Sequence, residues 1–290
     1  MPRGAVAWLA LVLVMAGACI KKTEKVAVAP AKKNALTANR DQLRQLINEK
    51  YAAVQTITYS RLRVQVEGYY LKKEKKESYP RGSGYMVVKR PYWIRMNINN
   101  PLTSTTVAAM AANGSRFQVW VPSENKYLTG AVNVKIEGDN PFYNIRPQHV
   151  VEAIFVHPLQ SEANRSFLVY EESDPRFSYY VIDDFETGGS SPRLLRRIWI
   201  ERSELRISRQ QWYDGNGRLV SDALYNSQVE VNGLPVFLDL NLNRVGDAYR
   251  LTFSFDRDAI KVNEPVEEAL FTVPVPPGAE TVEVKGKTEE

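Results

Sequence analysis

One cysteine, Cys19, and two histidines, His149 and His157, are all this sequence offers of sulfur and imidazole metal ligands. A single thiol excludes internal disulfides and cysteine-based zinc sites. The histidines are eight residues apart, each near a proline, and no ligand cluster accompanies them, so they read as polar positions of a helix and its exit loop. GxSxG, HExxH, GxGxxG and the P-loop are all missing, which removes the recognisable hydrolase, zincin and nucleotide-binding signatures. Asp183-Asp184 and Asp256 with Asp258 stand at strand ends with no second catalytic group, a pattern of turns and solvated edges rather than of a glycosidase pair. No catalytic residue, metal or cofactor is assigned.

Long apolar runs are also scarce. Residues 5–16 (AVAWLALVLVMA) make a run of twelve, short for a bilayer span and the length of a signal-peptide core, with Arg3 before it. The run ends in Ala16-Gly17-Ala18-Cys19, which resembles the lipobox of bacterial lipoproteins, with Ala16 in place of the usual leucine. In that family the cysteine is acylated and becomes the first residue of the mature chain. Cys19 is therefore the expected lipidation site, after a signal peptide at 1–18, with a chance thiol as the alternative.

The formal charge of +5 suggests nucleic acid until it is located. Lys21, Lys22, Lys25, Lys32 and Lys33 oppose only Glu24 near the cysteine. With Arg3 they account for six of 38 basic residues and one of 33 acidic ones, leaving 32 of each. The remainder is neutral, so nucleic-acid binding loses its main support. The stretch 19–35 reads as a flexible basic tether with a typical reach of about 20–25 Å. Its lysines suit either solvent or anionic head groups.

From Asn39 the apolar period is helical. Leu43, Leu46, Ile47, Val54 and Ile57 mark one face, and Asn39 with Gln42 resembles a capping box, which places a helix at about 39–55. The period then becomes two, with Leu62, Val64, Val66 and Tyr70 on one face. Strands follow near 83–90, 92–98, 104–112, 116–121 and 126–129, and again near 165–172, 177–185, 194–202, 205–213, 218–226, 235–245 and 248–256. Asn113-Gly114, Asp214-Gly215-Asn216-Gly217, Asn232-Gly233 and Gly246-Asp247 supply turns. A short helix is expected at 147–155 and a last helical turn at 265–270. So many antiparallel strands must curl to bury a face, giving a mainly β, α+β fold: a barrel or half-barrel with helices against its mouth or inner face. Such a fold can enclose an apolar cavity.

One strand pair breaks its own pattern. In GYMVVKRPYWIRM (84–96), every second residue from Met86 gives Met86, Val88, Arg90, Tyr92, Ile94 and Met96, five that suit an interior and one arginine. Arg90 is either a strand-end cation reaching back to water or a buried one with partners.

Here a family resemblance becomes specific. Lys89-Arg90-Pro91 after GYMVV (84–88) is similar to the strand-ending motif of LolA-type lipoprotein carriers. Asn113-Gly114 with Phe117, Val119, Trp120, Val121 and Pro122 resembles that family's hairpin, and Phe271-Thr272-Val273-Pro274 with Pro276-Pro277-Gly278 its C-terminal strand. Asn99-Asn100-Pro101-Leu102-Thr103-Ser104-Thr105 looks more like LolB, the outer-membrane lipoprotein receptor of the same fold. The resemblance covers about 36–280, with a charged tail at 281–290.

It implies an unclosed antiparallel β-barrel with a helical lid over a hydrophobic cavity that receives acyl chains of lipoproteins. Arg90 then takes the role of lid latch and Leu102 that of a membrane-contact residue, with a turn residue after Pro101 as the alternative for Leu102. Met86, Val88, Tyr92, Ile94, Met96, Leu43, Leu46 and Ile47 are the candidate cavity residues. The chain combines the carrier-like motif with the receptor-like loop, and a lipidated Cys19 favours the receptor. Implied partners are acylated lipoproteins, a soluble LolA-type carrier and the membrane, with the protein acting as a monomer at the periplasmic face of the outer membrane. The other function consistent with this fold is a lipid or lipoprotein sensor that binds without transferring.

Overall fold

Apart from one separate two-stranded pair, Val134–Lys135 with Lys287–Thr288, the strands belong to a single sheet. The computed structural model describes residues 34–132, 134–135, 140–285 and 287–288. Cys19 and residues 1–33 lie outside them. The first group of strands is β1 (Thr56–Tyr70), β2 (Lys75–Ser78), β3 (Gly82–Lys89), β4 (Trp93–Asn99), β5 (Thr106–Asn113), β6 (Arg116–Val121) and β7 (Lys126–Ala131), followed by the short β8 (Val134–Lys135). The second is β9 (Arg165–Ser173), β10 (Ser178–Glu186), β11 (Arg193–Glu201), β12 (Arg206–Tyr213), β13 (Leu219–Val231), β14 (Leu234–Arg244) and β15 (Tyr249–Phe255). Three short strands close the chain: β16 (Ile260–Val262), β17 (Glu280–Glu283) and β18 (Lys287–Thr288).

The order is β17-β7-β6-β5-β4-β3-β1-β15-β14-β13-β12-β11-β10-β9, with β2 and β16 also on β1. β1 joins the two groups, because the last long strand returns to pair with the first. All these pairs are antiparallel except β17 with β7. The terminal strands β9 and β17 do not meet, so the sheet is an unclosed barrel.

Register follows the binary pattern. Met86 lies opposite Met96 and Val88 opposite Ile94, while Val64 faces Phe253 and Val66 faces Leu251. A one-residue slip would turn each set outward, exposing side chains whose burial is worth about 1.5–3 kcal/mol apiece. Buried residues of this face form one core with Leu43, Ile47, Val150 and Val151 of the helices.

Helix α1 (Arg40–Gln45) starts at Asn39 with the full capping box. It then widens into π-helical turns over Leu46–Tyr51 and stops there, short of the expected 55. The side chain of Asn263 accepts from the Gln55 and Thr56 N–H groups, which draws the chain into β1 instead. Helix α2 (Pro147–Ile154) begins on a proline and packs on β4, β5 and β14.

The C-terminal strand implied at 271–279 is not in the sheet. Pro274, Pro276 and Pro277 cannot donate to a ladder, and Val273 is held by side chains: its N–H donates to Gln118 Oε1 (2.7 Å) and its carbonyl accepts from the Tyr127 hydroxyl (2.7 Å). Pairing begins only at Glu280, so the sheet runs past the boundary expected for the folded part. The last helical turn is a 3-10 turn at Glu268–Phe271.

Candidate functional site

An apolar cavity of about 270 Å³ lies on the inner face of β1, β4, β5, β6, β7 and β15. Val64, Val66, Met96, Ile98, Met110, Phe117, Val119, Leu128 and Leu251 line it, and the short side chain of Ala108 leaves it open. Neither α1 nor α2 contributes a lining residue. The cover is a 3-10 turn, Pro141–Asn144, followed by Ile145 and Arg146.

Three contacts fasten that cover. A Cβ at Gly68 would meet Pro141 Cγ at 2.7 Å and Phe142 Cζ at 2.9 Å, so the turn sits on bare β1 backbone. The Tyr143 hydroxyl donates to Glu124 Oε2 (2.6 Å) and accepts from Lys126 Nζ (3.0 Å). Burial and the Glu124 bond push the Tyr143 hydroxyl above its usual pKa. Arg146, buried, donates to the carbonyls of Val134 (2.9 Å) and Tyr143 (2.6 Å), and its guanidinium lies 5.5 Å from the Phe117 ring centroid.

The mouth is formed by Tyr79, Pro80, Arg81, Asn100, Pro101, Ser123 and Glu124. At its edge Leu102 is 92% exposed. The turn presenting it is fixed: Asn100 Oδ1 accepts from the N–H groups of Leu102 (2.9 Å) and Thr103 (3.3 Å), and Ser104 N–H donates to the Asn100 carbonyl (2.9 Å). An apolar side chain is thus held in solvent by a rigid support.

Arg90 lies at the β3–β4 turn on the opposite end of these strands. Its Nε donates to the Val54 carbonyl (2.8 Å) and a terminal nitrogen to the Val156 carbonyl (2.9 Å), with the guanidinium 4.6 Å from the Phe155 ring centroid. One side chain therefore ties the segment leaving the first helical run to the segment leaving α2. Burial, and then repulsion from Arg196, lower its pKa.

Beside it lies a polar cluster in which Asp184, expected with Asp183 at a solvated strand end, is instead buried inside β10 and paired, while Arg196 and Tyr225 carried no expectation from the sequence. Arg196, buried, pairs with Asp184 (3.1 Å) and donates to the His157 carbonyl (3.0 Å). The Tyr225 hydroxyl donates to the Ala153 carbonyl (2.6 Å) and accepts from Gln210 Nε2 (2.8 Å). Carbonyls at and beyond the α2 C-terminus are thereby taken up by side chains. A signal existed: Arg196 shares a strand face with Ile198 and Ile200, the same break in pattern as Arg90.

Of the eight candidate cavity residues, Met96 alone lines the cavity. Met86, Val88, Ile94, Leu43 and Ile47 are in the closed core. Leu46 is half-buried beside a shallow surface depression with Leu205 and Pro235, and Tyr92 is half-buried in the β3–β4 turn. Where helices seat on the sheet, side chains fill the space, and among the described residues the apolar cavity lies under the turn. Among the described residues no group of three or more His, Cys, Asp or Glu could hold a metal ion, and no helix is long and apolar enough to cross a membrane.

No family profile matches the sequence, and no curated protein matches it. Solved structures do. A DUF1329 family protein from Desulfovibrio piger is 14% identical at a TM-score of 0.46, covering 79% of this chain and 94% of that one. A LolA superfamily protein from Nitrosomonas europaea is 13% identical at 0.46, covering 82% and 99%. A proposed outer membrane lipoprotein-sorting protein domain from Vibrio parahaemolyticus is 10% identical at 0.44, covering 80% and 94%. Likeness at these identities and scores carries no functional argument.

Proposed function

We propose that this protein is a LolB-like receptor of the cell envelope, anchored through Cys19 at the periplasmic face of the outer membrane. It takes acyl chains of lipoproteins from a soluble LolA-type carrier into its apolar cavity and passes them to the bilayer. Residues 1–18 are removed, 19–35 serve as the tether, and the sheet and helices do the work. The observation that carries this reading is the cavity whose mouth adjoins a solvent-held leucine, Leu102.

Burying acyl chain is worth about 0.8 kcal/mol per methylene, so ten methylenes in water cost roughly 8 kcal/mol. Cargo must therefore move from one apolar space to another, a nearly balanced exchange that needs no cofactor. Arg90 clamps the exits of the two helical segments at the end of the strands away from the mouth, the cover over the cavity being the Pro141–Asn144 turn, and Leu102 gives the leaving chain an apolar contact with the membrane.

Mixing the protein with a carrier loaded with acylated cargo, then adding liposomes, tests the proposal. The expected result is uptake from the carrier followed by release into lipid. Stoichiometric binding without release would reject transfer and identify a sensor.

A further inference from the structure

Strand directions gather several turns on one rim. β1 ends there at Tyr70, β3 begins at Gly82, β4 ends at Asn99 and β5 begins at Thr106. The β1–β2 tip therefore shares its rim with Leu102 and the cavity mouth. β1 outruns its neighbour: pairing with β3 stops at Val64 opposite Gly82, and residues 67–70 pair with β2 instead. Six residues past Val64, at about 3.3 Å each, carry the tip about 20 Å beyond the start of β3.

The tip has an unusual composition. Leu71 is 73% exposed, second only to Leu102 among the exposed large hydrophobic residues described. Tyr69 and Tyr70 stand behind it, with Lys76 Nζ 5.8 Å and Lys73 Nζ 5.7 Å from their ring centroids. Over 71–76 there are four lysines and one glutamate. Lys75 and Lys76 pair with Glu77 and Glu67, each at 2.6 Å, with both lysine side chains about half exposed. An apolar point backed by tyrosines and flexible cations matches the depth profile of a bilayer surface, with rings and ammonium groups at the head groups and leucine below them. The hairpin is fastened to the cavity cover on both sides, since Phe142 packs edge-on against Tyr70 and Tyr79, at 6.3 and 4.7 Å between centroids.

We propose that the β1–β2 tip is a second bilayer contact, with Leu71 entering the acyl region and the tip lysines meeting anionic head groups, so that the cavity mouth is held against the membrane. This rests on the acyl-transfer reading for its purpose, though not for its detection.

The test uses the full chain in phosphatidylcholine vesicles with and without phosphatidylglycerol, carrying a photo-crosslinking residue at position 71. Position 230, exposed near the hairpin turn at the opposite end of the sheet, is the control. Lipid adducts from 71, increased by phosphatidylglycerol and absent from 230, are expected. Leu71→Glu should slow release into vesicles about tenfold with uptake unchanged, and Leu71→Phe should restore it. Adducts with the carrier rather than lipid would replace the membrane by a protein partner and overturn the proposal. No adducts from 71, with wild-type transfer intact, would overturn it alone. If wild-type transfer itself fails, lipid adducts from 71 still uphold the contact.

Discussion

Arg90, in the β3–β4 turn, and Arg196, on the inward face of β11, both interrupt an apolar pattern, and both are occupied with carbonyl groups at the exits of the helices. Arg90→Leu removes two hydrogen bonds from a cation and leaves the Val54 and Val156 carbonyls without them. A charge-assisted bond contributes about 1.5–3 kcal/mol, so with two removed a loss of about 3–6 kcal/mol in denaturant unfolding is expected. Faster amide exchange confined first to 46–57 and 154–157 would place the effect on the helix exits that Arg90 ties together; unchanged exchange there would remove that clamping role. The histidines give a second residue-scale expectation. Burial, then Arg196, Arg90 and Arg165, push His157 down to about 4, and burial with Arg244 and Arg146 holds His149 well below its ordinary value. Unfolded histidine titrates near 6.5, so on acidification the unfolded chain takes up protons that the folded chain refuses. Stability is then expected to fall from about pH 6.5 to about 4 on account of His157, and further down for His149, by up to about 1.4 kcal/mol per pH unit for each. In His157→Gln and His149→Gln the slope against pH should flatten, whatever happens to absolute stability.

Among the elements, the cover over the cavity is a turn that takes no part in the strand pairing of the sheet. Gly68 lies within β1, and a valine there suits a strand but not the turn above it, because Pro141 and Phe142 already occupy the position of its Cβ. Gly68→Val should displace the Pro141–Asn144 turn at a cost of about 1–3 kcal/mol. Amides at 142–146 should exchange faster and an apolar dye should reach the cavity; Gly68→Ala should do the same to a lesser degree. The strands, most turns and the capping box at Asn39 were legible because each rests on residues close in sequence. The cavity was not. Met86, Val88, Ile94, Met96 and Ile98 share one strand pair and one face, and the binary pattern cannot separate those under a packed core from those under open space. What differs is the segment above them, and residues 140–154 reach it from a distant part of the chain. Likewise the π-helical widening after Gln45 and the parallel placement of β17 on β7 are set by tertiary partners rather than local propensity.

At the scale of the whole molecule the two ends of the sheet carry different features. The chain enters at one end, where Leu36 N–H donates to the Arg202 carbonyl (2.8 Å) and Ala38 N–H to the Tyr180 hydroxyl (2.9 Å). The cavity mouth, Leu102 and Leu71 are at the other. If Cys19 is the anchor, the proposed membrane contact requires the tether to span the length of the sheet. Thirteen residues of β13 extend about 43 Å. The fifteen residues 20–34 reach at most about 50 Å, so the span is possible with little slack. Removing 24–30 leaves eight residues and about 28 Å, too short for the mouth to meet the membrane that holds the anchor. In proteoliposomes this deletion should leave uptake from the carrier intact and abolish release into the anchoring vesicle, while release into separate vesicles continues. A glycine-serine insert of equal length should restore the first route. Equal release by both chains would mean that the mouth never needs to face its own membrane, and delivery would then run between two bilayers.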